Sequence, residues 1–176
     1  METAIDHECD KSARQEFFAT ADSPYHFADS GLANVYLVGI RYWRCECGQE
    51  IAEIPAIKQL LSLIARDIVE KPFALTGEEI RFLRKRLGKK QSDFATQIGM
   101  EVETMSRIEN GHVKPSKRTD KLVRLYYAFA SKDPTLLGEL QESIDERFVT
   151  WERIMPPQKI VATVTNNGWT ADLVAA

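Results

Sequence analysis

Gln91-Ser92-Asp93-Phe94-Ala95-Thr96-Gln97-Ile98-Gly99 runs directly into Met100-Glu101-Val102-Glu103-Thr104-Met105-Ser106-Arg107-Ile108-Glu109-Asn110-Gly111, and this stretch decides the fold. Phe94 and Ile98 stand four apart on one face of a short helix, and the small Ala95 lets a second helix cross close by. Gly99 supplies the backbone freedom of a tight turn between helices. After it, Val102, Met105 and Ile108 recur at spacings of three, as the buried seam of a second helix. Glu101, Glu103, Thr104, Ser106 and Arg107 are left on or near its exposed surface. Gly111 stops that helix and Pro115 starts the next element.

Upstream, Thr76-Gly77-Glu78-Glu79 has the pattern of a capping box, in which the threonine accepts from the N3 amide while Glu79 reaches back. The helix it opens places Ile80, Leu83 and Leu87 on one face and leaves Arg81, Arg84, Lys85 and Arg86 for solvent or phosphate, with Gly88 closing it. Downstream, Leu122, Val123, Tyr126 and Phe129 are expected to complete the core. Residues 73–130 thus read as one packed set of short helices.

This segment resembles the XRE family of helix-turn-helix domains. The residues that carry the likeness are Gln91, Phe94, Ala95, Ile98 and Gly99, then Thr104, Ser106, Arg107, Ile108, Glu109 and Gly111, then Pro115. The resemblance implies a helix-turn-helix bundle that binds double-stranded DNA. It places Gln91 at the opening of the first motif helix, touching a phosphate and bracing the second. It places Glu103, Thr104, Ser106 and Arg107 on the helix that enters the major groove. Arg107 is the foremost contact residue, because a guanidinium matches guanine O6/N7 or a phosphate with two prongs; the bland alternative is an ion pair with Glu109 or Glu103. Ser92 and Lys114 complete the candidate set, and Glu109 is expected to tie its helix to the domain.

The overall charge of −3 hides a division. Residues 78–124 hold 12 basic and 7 acidic side chains, a net +5, against 11 basic and 19 acidic elsewhere, a net −8. A basic block between acidic flanks fits a phosphate-binding face on an otherwise repelling body. The first residues carry acids where a secretory leader needs a basic and then an apolar stretch, and no run is long enough to span a bilayer; both point to a cytoplasmic protein.

Residues 1–53 contain the three cysteines and strand-like runs at 34–40 and 41–44, punctuated by turns at Ser23-Pro24 and Ser30-Gly31. His7, Cys9, Cys45 and Cys47 together offer three thiolates and an imidazole, a donor set suited to tetrahedral zinc. A Cys–His nucleophile is the remote alternative, since no orienting residue or substrate motif accompanies it. The whole order, a cysteine module followed by a helix and an XRE domain, resembles the MqsA-like antitoxin family with its YgiT-type zinc finger. Tyr25, Ser30-Gly31-Leu32, Val35-Tyr36-Leu37-Val38-Gly39 and Cys47-Gly48 fit that module. The family uses two Cys-x-x-Cys pairs, whereas Cys45-Glu46-Cys47 is one residue short and Asp6 or His7 stands in place of the first cysteine. The module is therefore either a zinc site of unusual spacing or a degenerate finger held by its core.

Pro55 is expected to open a helix with Ile57, Leu60, Leu61, Ile64 and Ile68 on one face, ended by Lys71-Pro72. A further helix over about 134–153 carries Leu136, Leu137, Leu140, Ile144 and Phe148. Residues 159–165 have the β-branched density of a strand, and Asn167-Gly168 signals a turn.

The expected fold is α+β and mainly helical. Its parts are a β-containing module at 1–53, a linking helix at 54–72, an XRE-type five-helix bundle at 73–130 and a helix-and-strand extension at 131–176. The expected function is operator binding as a homodimer by an antitoxin that represses its own operon; the toxin partner is implied by the resemblance alone. The alternative is a stand-alone transcription factor whose amino-terminal module responds to metal or redox state. A protein that only neutralises a partner, without binding DNA, is a further rival, and an enzyme is not expected.

Overall fold

A computed structural model describes residues 14–133, 135–138 and 158–175. The chain is α+β, with helices and two sheets among the described residues. Strands β1 (Arg14–Phe18), β4 (Arg41–Cys45) and β5 (Glu50–Glu53) form an antiparallel sheet in the order β1-β4-β5. Phe17 stacks on Tyr42 across the β1–β4 pair, with ring centroids 5.4 Å apart. Strands β2 (Tyr25–His26), β3 (Val35–Val38), β6 (Gln158–Thr165) and β7 (Gly168–Ala175) form the second sheet, in that order.

The join between β3 and β6 is parallel, pairing Val35 with Ile160 and Leu37 with Ala162. All four of these side chains are buried, as the alternation of β3 and β6 requires. Asn34 closes the junction, its Nδ2 donating to the Gln158 carbonyl at 2.8 Å and its own carbonyl accepting from Ile160 N at 2.9 Å. The last strands were expected to belong to a terminal extension. Instead β6 lies inside the amino-terminal sheet, and the helical domain occupies the crossover that a parallel pair needs. β7 in turn packs on the first helix, where Trp169 Nε1 donates to the Pro55 carbonyl at 2.7 Å.

That helix, α1, runs from Ile57 to Glu70. Pro55 precedes it rather than opening it, and Ile57 is exposed at its first position, so the buried face is Leu60, Ile64, Ala65, Ile68 and Val69. α1 touches both α2 (Gly77–Arg86) and α5 (Lys117–Ser131), which makes it the fifth helix of the bundle rather than a spacer. Its carboxyl end is closed by Arg124 of α5, whose guanidinium donates to the carbonyls of Ile68, Val69, Lys71 and Phe73. A cation at a helix carboxyl end also meets the negative pole of the helix dipole. Asp120, one turn before Arg124 and buried with it, pairs with it at 2.5 Å and accepts from Leu75 N. Burial pushes the Asp120 carboxyl above the usual range, against the pull of Arg124.

This ion pair rotates α5 away from the orientation its apolar residues suggest. The buried face is Thr119, Asp120, Val123, Arg124, Tyr127 and Ala128, while Phe129, expected in the core, is 76% exposed. Beyond α5, Leu136 is buried and Leu137 exposed; Leu140, Ile144 and Phe148 lie outside the described residues.

Candidate nucleic-acid interface

The capping box at the start of α2 is formed as the sequence predicts. Glu79 N donates to Thr76 Oγ1 at 3.2 Å, and Thr76 N to Glu79 Oε2 at 2.7 Å. Behind it, α3 (Gln91–Gln97) and α4 (Val102–Glu109) are the two helices of the motif. Gly99 turns the chain between them with φ of 68°, a conformation that costs a residue with a side chain roughly 1 kcal/mol or more. Phe94 and Ala95 of α3 and Met105 and Ile108 of α4 are buried, and Tyr126 of α5 meets Phe94 edge-on at 5.5 Å. Val102, the first residue of α4, lies at the exposed end of this seam, so Met105 and Ile108 carry the burial.

A buried carboxylate fixes the orientation of α4. Glu109 accepts from Arg84 Nε at 2.6 Å and Nη2 at 2.8 Å, and from Gln91 Nε2 at 2.8 Å. Arg81 adds a bond from Nη2 to the Glu109 carbonyl and another to Asn110 Oδ1, both at 2.6 Å. One side chain of α4 is thereby bonded to α2 and to the first residue of α3, in the two-pronged geometry that suits guanidinium and carboxylate. Arg81 and Arg84, read from the sequence as available to solvent or phosphate, are structural donors inside the domain; Arg84 donates as well to the Lys89 carbonyl. Gly77 brings α2 closer still, because a Cβ there would lie 1.9 Å from the Ile108 carbonyl oxygen. The Glu109 cluster had one visible sign in the sequence: an acid on the inward side of α4 requires a cation to face it.

With Glu109 occupied, the outer surface of α4 is left with Glu103, Thr104 and Arg107, all exposed. The Arg107 side chain forms no ion pair or hydrogen bond with the described residues, so the pairings with Glu109 and Glu103 are not made. Ser106 is half-buried and accepts from Asn110 Nδ2 at 3.4 Å. Ser92 is exposed at the start of α3 beside Asp93. Lys114 is exposed in the loop after α4, and Lys90 and Arg118 are exposed before α3 and at the start of α5. Gln91 is turned inward, its Nε2 donating to Glu109.

Two of the cysteines, Cys45 and Cys47, lie at one end of the first sheet. Cys45 ends β4 and is buried, and Cys47 is exposed in the turn that leads to β5. Gly48 N donates to the Cys45 carbonyl, and Cys45 N to the Gln49 carbonyl, each at 2.8 Å. Arg14, the first described residue, pairs with Cys45 in the β1–β4 register. His7 and Cys9 themselves are outside the described residues, and among the described residues no three His, Cys, Asp or Glu side chains gather as a metal site.

Among the described residues no helix is long and apolar enough to cross a membrane. No curated protein and no solved structure matches the chain. The helix-turn-helix family model does match, over residues 80–119, and those residues, from within α2 through α3 and α4 to the first turn of α5, are a helix-turn-helix domain.

Proposed function

We propose that the protein is a DNA-binding transcriptional regulator that docks α4 in the major groove as a homodimer and, as an antitoxin, represses its own operon. The observation that carries the DNA reading is α4 itself. Its inner side is fixed by Met105, Ile108 and the Glu109 cluster, while its outer side offers Thr104 and an exposed Arg107. A groove-reading helix must be held rigidly and still keep polar side chains for base edges. Support for the dimer comes from α5, where Leu125 and Phe129 stand one turn apart and exposed, the kind of apolar surface that a second copy covers. Zinc held by His7, Cys9, Cys45 and Cys47 remains part of this reading, supported by both described thiols lying where β1 begins. The antitoxin role rests on the order of modules. A stand-alone regulator with a responsive amino-terminal module is the second reading, favoured by a cavity between that module and α2.

The test is a footprint and salt titration on the upstream region with wild type and Arg107→Ala. Wild type should protect two half-sites about one helical turn apart. If Arg107 reads a base, its loss should cost roughly 1–3 kcal/mol on the operator and less on random DNA. If it meets only phosphate, both should weaken alike and the salt slope should fall by about one. Equal binding by the two proteins at every salt concentration removes Arg107 from the interface, and absence of wild-type binding overturns the reading.

A further inference from the structure

A cavity of about 340 Å³ opens where the second sheet, the carboxyl end of α1 and the start of α2 meet. Its walls are largely apolar, with Leu32, Ile68, Phe73, Ile160 and Leu173 among them. Three acidic residues, Asp67, Glu78 and Glu79, and one basic residue, Lys71, line it as well. Lys71 is already committed, with Nζ at 2.6 Å from both oxygens of Glu79. Asp67 is not: its Oδ2 is buried and has no hydrogen-bond partner among the described residues. Arg66, its neighbour in sequence, offsets the Asp67 charge only in part, because it is drawn toward Glu70 and Asp133, and Asp172 on β7 adds a further negative charge nearby. A buried carboxylate oxygen without a donor is costly, and a water could supply a hydrogen bond but not a cation in direct contact.

We propose that this cavity is a binding site for a small organic cation, a primary ammonium on an apolar body, with Asp67 receiving the ammonium. The chemistry excludes a bare divalent ion, which needs about six oxygen ligands where the apolar walls supply few. The volume lies at the lower end of the range for ligand pockets, roughly 300–1,000 Å³, and suits an arylalkylamine. The Asp67 carboxyl, pushed up to about 6 by burial, would be relieved by such a partner.

Occupancy has a short path to α4, a step that rests on the DNA-binding reading. Glu79 both holds Lys71 and caps α2, and the next contact along is Gly77 against the Ile108 carbonyl. A cation that competes with Lys71 for Glu79, or that shifts the start of α2, therefore acts on the end of the recognition helix.

The test begins with calorimetry on the full chain without DNA, using 2-phenylethylammonium and its neutral counterpart 2-phenylethanol. The amine should bind with a Kd below about 1 mM, and the alcohol at least tenfold more weakly. Asp67→Asn, checked as folded by circular dichroism, should lose the amine at least tenfold, and Glu78→Gln should lose less. No amine binding, equal binding of amine and alcohol, or an unaffected Asp67→Asn would overturn the site. None of these outcomes depends on DNA. A second arm measures upstream-duplex affinity with and without the amine: a change of threefold or more in wild type and none in Asp67→Asn supports transmission to α4, and amine binding without that change overturns it.

Discussion

Replacing Glu109 by alanine should weaken the helical domain as much as truncating a buried apolar residue of α4, although Glu109 need not touch DNA. The carboxylate is 2% exposed and receives two bonds from Arg84 and one from Gln91. Its removal leaves the Arg84 guanidinium, itself nearly buried, with the Lys89 carbonyl as its one remaining partner among the described residues. Losing one member of a buried ion pair costs about 3–5 kcal/mol, most of it the penalty on the charge left behind. Against a typical domain stability of about 5–15 kcal/mol, that is a large fraction. The double variant Arg84→Met/Glu109→Leu removes both charges and should recover part of the loss, giving a coupling energy of about 2 kcal/mol or more. The assay is urea unfolding followed by circular dichroism at 222 nm. The two tryptophans within the described residues, Trp43 and Trp169, lie in the sheets and report on that part instead. A loss below about 1 kcal/mol for Glu109→Ala, or strictly additive single and double variants, would show that the cluster does not hold α4 in place.

Two further outcomes test other parts of the molecule. Burial, with Asp172 adding to it and Arg66 opposing, pushes Asp67 up to about 6, above its unfolded value near 3.8; Lys71 and Glu79 face the same cavity. The stabilisation by the neutral acid is fully present below about pH 3.8 and is lost as pH rises through about 6. Asp67→Asn should therefore stabilise the protein at pH 7.5 by about 1–2 kcal/mol, discounted for partial exposure, and change little at pH 3.5; equal shifts at both pH values in urea unfolding would contradict this. If His7, Cys9, Cys45 and Cys47 bind zinc, the purified protein should carry about one zinc per chain by elemental analysis, and chelation should alter Trp43 fluorescence while sparing the helical dichroism. Metal-free protein with an unchanged spectrum would assign the module to a degenerate finger.

The helices at 77–109 were legible because their signals are local. The Thr76–Glu79 box, Gly99, and the pairs Phe94/Ile98 and Met105/Ile108 each act within one or two turns. Phe129 was misplaced because apolar periodicity gives no weight to charges. The stripe through Leu122, Tyr126 and Phe129 looked like a core face, yet the buried pair Asp120–Arg124 sets the rotation of α5, and Arg124 is buried because α1 offers it free carbonyls. Arg81 and Arg84 were misread for the converse reason, since nothing in α2 alone reveals that Glu109 waits on another helix. The parallel pairing of β3 with β6 links residues more than a hundred positions apart, and no local pattern encodes it. One clue was available: a two-stranded hairpin is at best marginally stable alone, so the strands at the carboxyl end needed a third to pair with.

That pairing makes the carboxyl-terminal hairpin a structural requirement of the amino-terminal module, and a truncation tests it. Removing residues 158–176 strips β3 of its neighbour along Val35–Val38 and takes away the buried Ile160, Ala162 and Trp169. It also frees the Pro55 carbonyl at the entrance to α1 and uncovers the side of α1 on which β7 packs. Loss of a buried aromatic alone costs about 3–5 kcal/mol, and loss of a buried isoleucine about 2–5 kcal/mol. Together these approach the whole stability of a small domain. The helices from α2 to α5 draw their core from Ile80, Leu83, Phe94, Met105, Ile108 and Val123, none of which belongs to the hairpin. The truncated chain should therefore retain its helical dichroism while amide protection in β3 disappears. The point variant Trp169→Ala should show the same asymmetry in milder form. The measurement is hydrogen exchange resolved by residue, comparing Val35–Val38 with α4. If β3 keeps its protection after truncation, its stability does not come from β6, and the helical domain is not an insertion within a fold shared by the two ends of the chain.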